Sequence, residues 1–196
     1  RSDEYLNGKI DEVRIYNRAL SQAEITALYA FNSSSRSIHI SNPSFEEDVP
    51  GPGWVISADP DGPYVVNVLT GWEILGGEMG TWRVGPGHAY PNGIPDGLNV
   101  IGINSGGGVR QILSETLQPG YTYTLRVYVG HRADFPVFPP YSVQLRAGGN
   151  LLAQENSLRP GLGEFLLSTI TYAALSGDPN LGLPLEITLW SDLEAN

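Results

Sequence analysis

Tyr121-Thr122-Tyr123-Thr124-Leu125-Arg126-Val127-Tyr128-Val129 places Tyr121, Tyr123, Leu125, Val127 and Val129 on one side and Thr122, Thr124, Arg126 and Tyr128 on the other. A period of two is the pattern of a strand that covers a core with one face. Tyr141 to Ala147 repeats it, with Tyr141, Val143, Leu145 and Ala147 alternating against Ser142, Gln144 and Arg146. Working outward, strand-like runs occur at Tyr64 to Leu69, Leu98 to Ile103, Val109 to Leu113, Phe165 to Tyr172 and Leu185 to Trp190, separated by clusters of Gly, Pro, Asn and Asp. Seven such runs beyond Ile38 predict an all-β fold, a two-sheet antiparallel sandwich of jelly-roll type.

Composition narrows the function. The 196 residues include 24 Gly and 15 Pro, but these are scattered among apolar residues that make up 41% of the chain, so neither disorder nor a collagen-like repeat is expected. A net charge of -10 repels a phosphate backbone and argues against nucleic acid as a partner. With no Cys there is no disulfide frame, thiol catalysis or Cys-ligated zinc. No run of 18 apolar residues is present to span a membrane. The chain opens on Arg1-Ser2-Asp3-Glu4 rather than on Met or a signal region, which reads as a cleaved piece of a longer polypeptide.

The N-terminal part reads differently. Ile10, Val13, Ile15 and Tyr16 suggest a strand. Ser21 with Glu24 three residues later forms a capping box, with Leu20 and Ile25 at the staple positions, and opens a short helix whose apolar face is Ile25, Leu28 and Tyr29. Residues 31–37 are a polar linker. The expected organisation is therefore an extension over 1–30, a linker over 31–37 and a sandwich over 38–196.

The stretch Gly8-Lys9-Ile10-Asp11-Glu12-Val13-Arg14-Ile15-Tyr16-Asn17-Arg18-Ala19-Leu20-Ser21, with Glu24-Ile25 and Leu28-Tyr29, resembles the C-terminal strand and helix of laminin-G-like (concanavalin A-like) domains. The order of landmarks from Ile38 to Trp190 resembles galactose-binding-like jelly rolls found among carbohydrate-binding modules. Ile40-Ser41-Asn42-Pro43-Ser44-Phe45-Glu46-Glu47, Gly71-Trp72, Pro95-Asp96-Gly97-Leu98-Asn99-Val100 and Leu117-Gln118-Pro119-Gly120-Tyr121 carry that resemblance. It implies a last strand of the type apolar-Asp-x-Val-x-apolar, which is missing after Trp190. Ile10-Asp11-Glu12-Val13-Arg14-Ile15 has that pattern, so Ile10, Asp11, Val13, Ile15 and Tyr16 are expected to act as a donor strand, in their own sandwich or in that of the next molecule.

Catalytic motifs are sparse. His39, His88 and His131 are far apart and fit no metalloprotease pattern, and there is neither a Gly-x-Ser-x-Gly elbow nor a phosphate loop. Glu46, Glu47, Asp48, Asp59, Asp61, Glu73 and Asp96 supply a carboxylate pair only by chance. The jelly-roll resemblance implies a structural Ca2+ at Glu46, with Glu47 nearby and Asp11 in place of the absent Asp. Trp54, Trp82, Tyr90 and Trp190 are candidate sugar platforms. Phe135-Pro136-Val137-Phe138-Pro139-Pro140 is an apolar tip, either a partner contact or a loop folded over the sandwich end. The expectation is a non-catalytic extracellular or cell-surface module that assembles with copies of itself, head to tail, into a filament. The alternative is a polysaccharide-binding module of a larger secreted protein.

Overall fold

Side chains that alternate in and out make strands, and the Gly and Pro clusters between them make the turns. A computed structural model describes residues 18–25, 36–48, 64–66, 68–84, 89–104 and 106–192. The chain divides into two units, Arg1–Arg36 and Ser37–Asn196.

In the first unit the capping box forms. The Ser21 N–H donates to Glu24 Oε2 at 2.8 Å, the Glu24 N–H donates to Ser21 Oγ at 3.3 Å, and a helical turn covers residues 22–25. The Arg18 guanidinium donates to the same carboxylate and, with the Ser21 donors, holds it down to about 2. Ile10, Asp11, Val13, Ile15 and Tyr16 lie outside the described residues.

The second unit contains ten described strands: β1 (Tyr64–Val66), β2 (Glu73–Ile74), β3 (Glu78–Arg83), β4 (Asn99–Asn104), β5 (Gly107–Thr116), β6 (Thr122–His131), β7 (Tyr141–Ala147), β8 (Asn150–Glu155), β9 (Glu164–Ala173) and β10 (Pro184–Ser191). Every ladder is antiparallel. The sheet orders are β1-β3-β4, β2-β5-β10-β7-β8 and β6-β9. The inward residues of all three meet in one apolar core, including Met79 of β3, Val109 of β5, Leu125 of β6, Val143 of β7, Ile170 of β9 and Leu189 of β10. This is the expected antiparallel sandwich.

Three strands carry no alternation that marks them. β8, Asn-Leu-Leu-Ala-Gln-Glu, exists because a tight hairpin folds it onto β7. Gly148 and Gly149, in the left-handed backbone region at φ of 54° and 80°, give that two-residue connection a turn that matches the right-handed twist of the flanking strands. β2 and β3 are carried by the ladders to β5 and β4.

β4 pairs only with β3 and β6 only with β9 among the described strands, so no ladder joins β4 to β6. Both strands contribute residues to the site.

Candidate functional site

Successive residues of a strand point to opposite faces. Residues 99–103 of β4 and 125–132 spanning β6 nevertheless all line one cavity of about 1100 Å3. Consecutive residues of both strands thus border the same space. Its inner side is floored by Val143 of β7 and by Ile187 and Leu189 of β10.

The outer side is aromatic. Trp82 and Gly80 share a face of β3, and their register partners Val100 and Gly102 continue that face on β4. The Tyr90 ring lies 6.1 Å from Trp82 and 4.5 Å from Phe165, which stands opposite Gly130 on β9. Burial pushes the Tyr90 phenol up to about 12. The Arg132 guanidinium sits 4.6 Å from the centre of the Trp82 ring, and Asp134 takes two N–H bonds from it, so the indole is held in a set orientation.

At one end the apolar tip folds over the sandwich. Phe135, Val137, Phe138 and Pro139 line the cavity. His131 ties this loop down, with Nδ1 3.1 Å from the Pro160 carbonyl and Nε2 2.9 Å from the Phe135 carbonyl. Phe138 packs 5.0 Å from the His131 ring and edge-on to Tyr141 at 5.5 Å.

The rim holds the polar chemistry. Glu46 Oε1 accepts the N–H groups of Leu98 and Asn99, each at 2.7 Å, and the Asn99 amide donates to the Phe45 carbonyl at 3.0 Å. These bonds order the start of β4. They also set Asp96 at the cavity wall, where the Ser44 hydroxyl donates to it. Asp96 is the single carboxylate among the described lining residues.

Of the residues singled out in the sequence, Trp82 and Tyr90 come together in the cavity. Trp190 belongs to the five-stranded sheet, lines the same cavity and donates its indole N–H to Asp192 at 2.6 Å, while Trp54 lies outside the described residues. Glu46 is half-buried and engaged with main-chain N–H groups, Glu47 is exposed, and Asp11 is outside the described residues. No group of three or more His, Cys, Asp or Glu that could hold a metal occurs among the described residues. No helix among them is long and apolar enough to cross a membrane. Phe165, Phe138, Arg132 and the facing glycines were not legible as site residues. Each is ordinary in its own strand or loop, and only the sheet pairing brings them together.

Fold and site define an antiparallel jelly roll with an aromatic cleft of small-molecule size. Residues 36–195 match the HpiC1-like family, described as HpiC1 cyclase, and the chain belongs to that family. Residues 1–26 match the concanavalin A-like lectin/glucanases superfamily. Among solved structures, the chain is similar to a Stig cyclase, Fisc, from Fischerella sp. TAU in complex with (3Z)-3-(1-methyl-2-pyrrolidinylidene)-3H-indole. That likeness is 28% identical over 82% of this chain and 90% of that one, with a TM-score of 0.70. A cyclase from the same source in complex with 4-(1H-indol-3-yl)butan-2-one gives 28%, 82%, 90% and 0.69. An apo form cyclase from Fischerella sp. gives 26%, 80%, 87% and 0.70. No curated protein matches the chain.

Four expectations are corrected. Membership of a cyclase family overturns the non-catalytic module, and with it the filament built from copies of the chain and the carbohydrate-binding alternative. Two of the similar structures hold indole-type small molecules, where polysaccharide or a homopolymer was the expected partner. The jelly-roll architecture that the resemblance implied is borne out, and the family matched over the sandwich is the cyclase family. The physical reason is that a cleft lined by aromatic rings, with one carboxylate in its wall, leaves no spaced motif of His, Cys or paired acids for a sequence to display.

Proposed function

We propose that residues 36–196 form a cyclase domain that closes a ring on an indole-bearing substrate within the aromatic cleft. The observation that carries this reading is the cavity of about 1100 Å3 walled by Trp82, Tyr90 and Phe165, in a chain whose family is that of HpiC1 cyclase. The indole-type molecules held by two similar solved structures support the substrate class.

Ring closure without a leaving group is an intramolecular addition. A new bond joins an electron-rich carbon to an electron-poor one, a proton is taken up at one atom and released from another, and mass is conserved. Such a reaction asks three things of the protein. Flat apolar walls hold the substrate folded with its reacting carbons in contact. Aromatic faces lower the energy of positive charge as it develops, by about 0.5–2 kcal/mol per ring. One acid–base group moves the proton, and Asp96 is assigned that role because it is the carboxylate in the wall. Burial of the rings keeps water from trapping the cation.

The test uses a panel of indoles with alkene side chains, with isobaric products separated by chromatography. Asp96→Asn is expected to lower turnover by about 10²–10⁴-fold while binding of 4-(1H-indol-3-yl)butan-2-one, read by titration calorimetry, persists. Failure of the unaltered chain to bind any indole at millimolar concentration removes the reading.

Two further points belong to the proposal. A structural calcium has its donor in Glu46, whose carboxylate already orders the start of β4. A melting temperature lowered by EDTA in the unaltered chain and unmoved by it in Glu46→Gln supports this role, and identical melts remove it. An extracellular or cell-surface location is supported by the laminin-G-like match of residues 1–26, and cell fractionation checks it.

A further inference from the structure

Gly80 and Gly102 stand directly opposite each other on β3 and β4. A glycine inside a strand weakens it, since the backbone loses more freedom and no side chain packs on the neighbours. Two in register double that disadvantage, so a reason for them is to be sought.

The two structural reasons fail at Gly102. Its φ is not in the left-handed region, so any residue fits the backbone there. A Cβ built at the position meets no heavy atom within 4 Å, so no close approach of the protein demands glycine. What the pair does create is a bare strip of peptide backbone on the cleft side of the sheet. Trp82 and its partner Val100 bound the strip, and both glycines line the cavity.

Resting on the cyclase reading above, we infer that the Gly80–Gly102 strip is the seat on which the planar indole of the substrate lies, flat against the peptide groups with the Trp82 indole at its edge. A flat strip accepts a two-ring system that a raised Cβ would tilt or exclude. The strip then selects for planar aromatic substrates and fixes which face of the ring looks into the cleft. This gives Gly102 a role in specificity.

The experiment measures the affinity of 4-(1H-indol-3-yl)butan-2-one and the melting temperature for the unaltered chain, Gly102→Ala and Gly102→Val. The variants are expected to melt at the same temperature or higher, while affinity falls at least tenfold for Ala and further for Val. Equal affinity in all three, with binding by the unaltered chain intact, overturns the seat and leaves the cyclase reading standing. Loss of binding in the unaltered chain itself strikes the cyclase reading instead. A measurement without any variant guards against misfolding: nuclear Overhauser contacts from the Gly102 α-protons to the bound indole protons are expected, and their absence with the ligand bound also overturns the seat.

Discussion

Gln111 of β5 spends its whole side-chain amide on main-chain groups. Oε1 accepts the Ser41 N–H at 2.8 Å, and Nε2 donates to the Ser41 carbonyl at 2.9 Å and the Gly71 carbonyl at 2.8 Å. It fastens the segment that carries Asn42, Asp48 and Ser44 to the sandwich, with Asp48 in turn accepting from the Asn42 amide and the Thr70 N–H. A buried amide with three fixed partners is costly to delete, because each orphaned main-chain group forfeits about 1–3 kcal/mol. Gln111→Ala is therefore expected to lower unfolding free energy by about 3 kcal/mol, measured by urea denaturation. Sequence displays Gln111 only as a polar residue on a strand, because its partners stand 70 and 40 positions away. The Ser21–Glu24 box, by contrast, is readable in four letters because its bonds are local.

At the scale of the element, β6 and the loop after it govern the cleft. The alternation from Tyr121 to Val129 displays which side chains of β6 turn inward, since strand geometry converts period two directly into faces. It does not display that the outer edge of β6 borders a cavity, because that depends on where β4 ends up. His131 closes the element by standing between the carbonyls of Phe135 and Pro160. Replacing it with Ala removes the tie between the 132–140 loop and the 156–161 segment. The expected result is a loss of about 1–2 kcal/mol in stability, faster amide exchange confined to the two tied segments, and weaker binding of indole probes. Uniform exchange across the sandwich would show that the ring does not act as a tie. The apolar tip is thereby a loop over the sandwich end, and its Phe138 and Val137 complete the cavity wall.

For the whole molecule, the buried Tyr90 phenol links stability to alkaline pH. In the unfolded chain a tyrosine ionises near 10, whereas in the folded protein burial holds Tyr90 to about 12. The folded state excludes the phenolate, so the stabilisation is complete below pH 10 and is lost as pH rises from 10 to 12, at about 1.4 kcal/mol per unit. Tyr90→Phe is expected to flatten that part of the pH–stability curve relative to the unaltered chain, and parallel curves would refute it. At this scale the share of each source is plain. Sequence alone determined the antiparallel sandwich, the capped turn at residues 22–25 and the inward faces of β6 and β7, because these follow from spacing between near neighbours along one chain. Tertiary structure decided the cleft: Trp82, Tyr90, Phe165 and Arg132 converge from separate strands and loops, and Gly80 faces Gly102 through a ladder register. A cavity is made by what the chain leaves unfilled between distant segments, and the period of residues along one strand carries no record of the space beside another.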